Sequence, residues 1–158
     1  MITPEALAIL SKPEMQAFLR ERMGPPQEGD RLYIEGPKIG VGLVINNVHP
    51  SMVKIRFEKA GAFDDEWFYR TYINETAIRI PLSIDDRNPE RGLVGMIGPC
   101  NIEYAGDITF VHGAYDTEGP TPLLALLRAL EAQLKAEAIK AWKLIEMEIG
   151  KEATDATD

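Results

Sequence analysis

Residues 36–57, GPKIGVGLVINNVHPSMVKIRF, decide the fold class of this chain. Two β-branched or aromatic runs, at 43–45 and 53–57, are separated by Asn, Pro and Ser residues that favour turns. Gly40 and Gly42 do not form a dinucleotide-binding loop, because a third glycine is missing and a strand follows where a helix is required. The stretch therefore predicts a small, strongly bent antiparallel sheet rather than a nucleotide-binding α/β domain.

The chain has 158 residues, of which 45% are hydrophobic. That composition supplies a real core, and we expect a single α+β domain over residues 1–150. Residues 151–158 contain no large apolar side chain, so we expect a disordered tail there.

The formal net charge of −8 makes general nucleic-acid binding unfavourable, because a phosphate backbone would be repelled. The single cysteine, Cys100, excludes an intramolecular disulfide. No stretch approaches the roughly 18 apolar residues of a membrane span, and the N-terminus lacks the pattern of a secretion signal. We therefore expect a cytoplasmic protein that does not associate with membranes.

Two helical regions flank a β-rich core. An N-terminal segment, 1–24, is predicted to form two short helices, the first capped by Thr3 and the second opened by a capping box from Ser11 to Glu14. The C-terminal helix is predicted over 121–149, where apolar residues recur at spacings of three and four. Such a helix would be ~40 Å long, which exceeds the width of a small sheet. We expect homo-oligomerisation through it, the alternative being a helix that curves across its own domain.

The β-rich core is predicted over 29–115. Alternating apolar residues predict strands at 30–35 and 52–58. We expect a turn or loop at 63–66, and further strands at 66–73 and 76–80. Residues 81–99 are rich in Pro and Gly and predict a long ordered connection. A hairpin is expected in which 101–104 pairs with 108–111.

Residues 29–57 resemble SH3-like barrels of the Tudor and KOW type. The resemblance is carried by the Gly29-Asp30 start, the glycine-interrupted second strand and the Val-x-Ile-x-Phe pattern of 53–57. In such barrels a groove lined by aromatic side chains often binds peptide or nucleic acid. The resemblance implies this role for the aromatic residues downstream, namely Trp67, Phe68, Tyr69 and Tyr72.

Residues 81–96 and 120–130 look like small proteins encoded by tailed phages and prophages, many of which end in a Thr-Pro-x-x-Ala-Leu helix. The resemblance implies a phage accessory protein that works in the bacterial host cytoplasm and binds host factors or defence molecules.

Two groups of residues are candidates for ligand binding. Strand alternation places Trp67 and Tyr69 on one face, where with Arg56 they would form a stacking and cation platform suited to a base or nucleotide. Arg87 and Arg91 could clamp an anion, since guanidinium groups match phosphate and carboxylate. The alternative for these two arginines is a loop whose charges are paired internally.

The enzymatic alternative is a small two-histidine phosphodiesterase. His49 with Ser51 fits one His-x-Ser/Thr word, but His112 is followed by alanine at the corresponding position. No metal-ligand spacing and no cofactor motif is present. We therefore expect a non-enzymatic binding protein that captures a host protein or a small anionic ligand without a cofactor. A phage structural or assembly subunit is the third hypothesis.

Overall fold

A computed structural model describes residues 2–36, 39–59 and 62–156. The predicted α+β class, with an antiparallel sheet and a long C-terminal helix, is confirmed. The helices are α1 (Pro4–Leu10), α2 (Pro13–Met23), α3 (Arg70–Thr76), α4 (Leu93–Ile97) and α5 (Pro122–Ala156). The strands are β1 (Arg31–Ile34), β2 (Gly40–Asn46), β3 (Met52–Lys59), β4 (Ala62–Tyr69), β5 (Ile78–Ile80), β6 (Cys100–Ala105), β7 (Ile108–Gly113) and β8 (Thr117–Gly119).

The two N-terminal helices are present, and one of their two predicted caps is correct. The Thr3 hydroxyl accepts a hydrogen bond from the Ala6 N–H at 3.3 Å, as expected of an N-cap. The capping box at Ser11 is wrong, because Ser11 ends α1 and donates its hydroxyl to the Leu7 carbonyl. Gly24, with φ of +72°, ends α2, which is the conformation that favours glycine.

The larger sheet has five antiparallel strands in the order β4-β3-β2-β1-β5. The register shifts between Val44 and Asn46, an irregularity of the kind that bends a sheet. No strand pairing in the described part of the chain closes this sheet into a barrel. The smaller sheet, β6-β7-β8, contains the predicted hairpin, with Asn101 opposite His112 and Tyr104 opposite Thr109.

Two local predictions between β3 and β5 are wrong. Residues 63–66, predicted as a loop, belong to β4, where the cross-strand pair of Asp65 with Arg56 offsets the low strand propensity of aspartate. The predicted strand over 66–73 ends at Tyr69, and the chain continues as α3. The helix places Ile73 and the following Ala77 on one side, where both are buried.

The connection over 81–99 is ordered, as predicted, but it contains structure of its own. A 3₁₀ turn (Pro89–Arg91), capped by the Asn88 side chain, leads into α4. Leu93 and Met96 of α4 are buried against α5, so the connection supplies part of the core.

Two hydrophobic cores lie on opposite faces of the five-stranded sheet. The first is built by α1, α2, α4, the start of α5 and the smaller sheet, and Tyr33, Val41 and Ile78 of the larger sheet pack against it. The second lies on the other face, where side chains of β1, β2 and β3 meet Ile73 and Ala77. The helical layer thus covers the β1–β5 end of the first face and leaves the β3–β4 end exposed.

Helix α5 begins at the predicted Pro122 and is about 50 Å long. Its first turns are buried from Leu124 to Leu127 and again at Leu130, whereas the described side chains from Glu137 to Lys151 are all exposed. The helix continues to Ala156, where a disordered tail was predicted, and residues 157–158 lie outside the described part. No helix of the described residues is both long and apolar enough to cross a bilayer.

Gly42 permits the close packing of β2 on β3. A Cβ at this position would lie 2.3 Å from Ile55 Cγ2 and 3.2 Å from Phe57 Cε1. We expect Gly42→Ala to lower the free energy of unfolding by about 1–3 kcal/mol, because a well-packed core tolerates added atoms poorly. Urea unfolding followed by far-ultraviolet circular dichroism measures the change.

Gly150→Ala is the matched control, because its Cβ would meet no atom within 4 Å and the residue lies in α5. Alanine favours a helix over glycine, so this variant should be no less stable than the wild type. Equal stability of the two variants would contradict the packing role of Gly42.

Candidate binding surface

The exposed end of the five-stranded sheet carries a group of aromatic and charged side chains. They alternate along β3 and β4 so that all point away from the second core. Three of the aromatic rings are well exposed, Phe63 at 69%, Trp67 at 44% and Tyr69 at 65%. We call this surface the aromatic face, made of Lys54, Arg56, Phe63, Asp65, Trp67 and Tyr69.

Cross-strand register fixes the contacts within the aromatic face. Lys54 lies opposite Trp67, with its Nζ 5.7 Å from the ring centroid. Arg56 lies opposite Asp65 and donates two hydrogen bonds to it, at 2.7 and 2.9 Å. These bonds hold the pKa of Asp65 below its ordinary value. The Arg56 guanidinium also lies 5.1 Å from the ring of Phe63.

The loop between β2 and β3 forms one margin of the aromatic face. Its His49 ring lies 5.7 Å from the Trp67 ring, in a tilted arrangement. His49 Nδ1 accepts hydrogen bonds from the N–H groups of Ser51 and Met52, both at 3.1 Å. Arg70 donates to the carbonyls of Asn47 and His49 and so ties the loop to the start of α3. Hydrogen bonds therefore hold this loop both within itself and to the start of α3.

Three of the residues predicted to bind a ligand, Arg56, Trp67 and Tyr69, lie together on the aromatic face. Phe68 and Tyr72 point to the opposite side, where their rings stack at 6.3 Å beside the second core. The prediction did not include Phe63, because the acidic run after it was interpreted as a loop. Its signal was the two-residue spacing that places it in phase with Trp67 and Tyr69.

Arg87 and Arg91 lie elsewhere, in a buried ion cluster around Asp30 and Asp85. Arg91 is 3% exposed and donates to both carboxylate oxygens of Asp30, at 2.6 and 2.9 Å. Its Nε donates to the Met23 carbonyl at 3.0 Å. Arg87 donates to both oxygens of Asp85, at 3.1 and 2.9 Å, and to Asp30 at 3.0 Å.

This arrangement removes the basis for an anion clamp at Arg87 and Arg91. The Arg91 guanidinium is buried among protein acceptors, and both carboxylates that surround it are equally buried. Arg87 is more exposed, but its donors face Asp30, Asp85 and the Glu28 carbonyl. The internally paired alternative therefore describes these two arginines, although it places them at the surface whereas the cluster is buried.

Hydrogen bonds and burial shift the pKa values of the two carboxylates of the cluster and of Arg79. Hydrogen bonds from the Arg87 side chain lower the pKa of Asp85. Burial alone would raise the pKa of Asp30, but hydrogen bonds from Arg91, Gln27 and Arg87 outweigh it and lower the pKa. Arg79 is also buried, and its Nε and Nη1 lack hydrogen-bond partners. Burial lowers the pKa of Arg79 to about 10.

The two histidines lie in different parts of the fold, His49 in the loop before β3 of the larger sheet and His112 in the smaller sheet. His49 precedes β3, whereas His112 lies in β7, where its Nε2 is 3.0 Å from Glu103 and its ring stacks on Phe110. No hydrogen bond or ring contact in the described residues joins the two imidazoles. Nor do three or more His, Cys, Asp or Glu side chains of residues 2–36, 39–59 and 62–156 form a group that could hold a metal ion.

An open cleft of about 350 Å³ lies between α2 and the 3₁₀ turn, away from the aromatic face. It is lined by Phe18, Glu21, Arg22 and Glu90. Arg22 spans it by donating to the carbonyls of Glu90 and Gly95. The cleft thus joins α2 to the connection before α4 and presents two carboxylates to solvent.

No family model, no curated protein and no solved structure is significantly similar to this chain.

Substitution within the ion cluster tests whether the cluster holds the connection over 81–99 to the sheet. We expect Asp30→Asn to lower the free energy of unfolding at pH 7 by about 3–5 kcal/mol, because Arg91 stays buried but loses the carboxylate nearest to it and keeps Asp85 at 3.5 Å. Urea unfolding over a range of pH values measures this loss. Asp65→Asn, which breaks the exposed pair with Arg56, is the control and should change stability little.

The difference between wild type and Asp30→Asn should depend on pH. A carboxylate whose pKa is lowered by folding stabilises the folded state above its unfolded pKa, near 3.9, and this contribution is lost as the pH falls through the folded pKa. The difference between the two unfolding free energies should therefore begin to shrink below about pH 4 and should be lost once the pH is below the folded pKa of Asp30. A difference that persists undiminished at pH 2 would contradict the charge pairing.

Proposed function

We propose that this chain is a non-enzymatic binding protein whose aromatic face holds an extended segment of a protein partner. The observation that carries the proposal is the exposure of Phe63, Trp67 and Tyr69 in one row along β4. Tryptophan, tyrosine and arginine are the residues that most often dominate the energy of protein interfaces. The cleft beside α2 is lined by none of the residues of this face, so a flat contact fits the face better than an enclosed small molecule.

The position of β4 supports an extended partner. β4 stands at the end of the strand order, so β3 is its one strand neighbour among the described residues. It has eight residues and is about 27 Å long. A peptide that adds to such an edge gains main-chain hydrogen bonds, and its alternate side chains would contact the aromatic row.

The charges of the face favour a protein segment over the small anionic ligand that was the other prediction. Arg56 already donates its fork to Asp65, and Arg91 is buried in the ion cluster. Lys54 remains as the cation nearest to Trp67. Because the net charge of the whole chain is −8, a neutral or basic segment is a more favourable partner than an anion.

The two sequence resemblances agree with this proposal. We propose an SH3-like arrangement for residues 29–80, supported by the strand order and by α3 between β4 and β5. In such folds aromatic side chains often form the peptide-binding groove. The resemblance of 81–96 and 120–130 to phage-encoded proteins supports a bacterial host protein as the partner.

Substitution of the aromatic row tests the proposal. Peptides selected by display for binding to the wild type would be titrated against the wild type and its variants. We expect Trp67→Ala and Tyr69→Ala each to weaken binding by about 30-fold or more, as measured by calorimetry. N-methylation along a selected peptide should abolish binding at alternate positions, because only every second amide faces the edge.

Tyr104→Ala is the matched control, because Tyr104 is an exposed tyrosine of the smaller sheet, 68% exposed. It should leave peptide binding unchanged. Peptides that bind Trp67→Ala as well as the parent, or binding of single-stranded oligonucleotides in preference to every peptide, would contradict the proposal.

The phosphodiesterase alternative makes a different prediction. His49 Nδ1 accepts hydrogen bonds from two backbone N–H groups, so a neutral His49 carries its proton on Nε2. The side chain thus stabilises the conformation of its own loop. We expect no hydrolysis of bis-(p-nitrophenyl) phosphate above the rate of a His49→Ala/His112→Ala double variant, followed by release of nitrophenolate. Turnover by the wild type that either single substitution abolishes would favour the enzyme instead.

A further inference from the structure

The second half of α5 extends beyond the domain and exposes large apolar side chains. Six of them are at least half exposed, which is unusual for a segment of this length. They are Ile139 (58%), Trp142 (61%), Leu144 (55%), Ile145 (50%), Met147 (70%) and Ile149 (61%). The helix is therefore apolar along a stretch where its own domain gives it no partner.

A helix in this situation is expected to have a partner. In proteins most helical stability comes from packing of an apolar face rather than from intrinsic propensity. The buried positions of α5 end near Leu134, so the following turns receive no such packing from the chain itself. Exposed apolar side chains that lie next to one another on a protein surface often mark an interaction site.

The apolar residues are not arranged evenly around the helix. Ala138, Trp142, Ile145 and Ile149 follow one another at spacings of four, three and four. This is the spacing of a coiled-coil seam, in which one helix packs lengthwise on another. The Trp142 Nε1 donates to Glu146 at 2.7 Å, one turn further on, which fixes the indole relative to this seam. Met147 lies on the opposite side of the helix.

The charges along the segment change sign near its middle. The first half contains Lys135, Lys140 and Lys143 with one acid, Glu137, and the second half contains Glu146 and Glu148 with Lys151. A second copy in antiparallel orientation would place the basic half of each helix against the acidic half of the other, whereas a parallel copy would place like charges together. A two-fold symmetric pairing of this kind presents the same surface from both chains.

We propose that residues 135–151 of α5 form an antiparallel two-helix interface with a second copy of this chain, built on Trp142, Ile145 and Ile149. The inference rests on the exposed seam and its charge pattern, independently of the aromatic face. Both aromatic faces remain outside this interface, because they belong to the sheet end that α5 does not cover.

Sedimentation equilibrium tests the assembly. The wild type should have a mass near twice the 17.6 kDa of one chain. Ile145→Glu should raise the dimer dissociation constant by about 30-fold or more, since it places a charge in the seam. Met147→Glu, the same chemical change on the opposite side, should leave the dimer intact. Circular dichroism should show that both variants keep the domain folded, because both positions are exposed in one chain.

Single-cysteine variants in a Cys100→Ser background test the orientation. In a two-fold antiparallel pair centred near residues 143–144, Ala138 of one seam lies opposite Ile149 of the other, and each lies far from its own copy. Ala138→Cys and Ile149→Cys should therefore each fail to cross-link alone but should form a disulfide-linked dimer with one another when mixed and mildly oxidised. A parallel pair would cross-link at each of the two positions alone.

Four results would overturn the proposal. A monomeric wild type at millimolar concentration excludes the interface, and self-cross-linking at Ala138→Cys excludes the antiparallel arrangement. Large rings that persist in Ile145→Glu would favour an assembly subunit that associates through another surface. Binding of the wild type to vesicles of phosphatidylcholine and phosphatidylglycerol, with loss of the dimer, would identify a lipid surface as the occupant instead.

Discussion

The buried contact of Arg91 with Asp30 joins parts of the chain that are far apart in sequence, and both cores depend on it. Asp30 directly precedes β1, its carbonyl accepts the Val44 N–H, and its carboxylate accepts the N–H of Gln27. Arg91 is the last residue of the 3₁₀ turn, just before α4, and also holds the end of α2 through the Met23 carbonyl. One ion pair thus fixes the start of the sheet, the end of α2 and the connection that supplies Leu93 to the first core.

That contact also determines which part of the sheet is left uncovered. The helices pack over β1 and β5, because Arg91 and the Gln16 side chain, which pairs with the backbone of Arg79, hold them at this end. On the same face, the β3–β4 end receives no helix from the described part of the chain. Side chains of this end that point to the other face, such as Ile55 and Phe57, are buried in the second core, whereas those of the aromatic face are partly or fully exposed. Exposure of Trp67 and Tyr69 is therefore a consequence of where the helical layer is anchored.

The elements that the sequence predicted correctly are those specified by local chemistry. The cap at Thr3 and the apolar spacing of α5 each depend on residues that lie within a few positions of one another. The wrong predictions depend on distant partners. Ser11 was available as a cap but its hydroxyl bonds backward to Leu7, and the acidic residues of β4 form a strand because Arg56 of β3 lies opposite Asp65.

The same distinction applies to the candidate site. Strand alternation was sufficient to place Trp67 and Tyr69 on one face, because the side-chain period of a strand is a local property. The role of Arg91 could not be predicted, since its partner Asp30 is remote in the sequence and isolated carboxylates carry no signal of burial. Arg87 illustrates the limit most clearly, because its neighbour Asp85 was visible in the sequence whereas its contact with Asp30 was not.

The two exposed apolar surfaces have a common physical consequence. Neither the aromatic face nor the seam of α5 contributes much burial to the folded monomer, so the stability of the domain does not explain why they are apolar. If two chains pair through α5, each dimer carries two aromatic faces, and a partner with two suitable segments would bind the second at a high effective concentration. A modest affinity at each shallow face would then be sufficient for tight capture. In this arrangement the net charge of −8 per chain limits further association, because additional copies would be repelled once the complementary halves of the helices are paired.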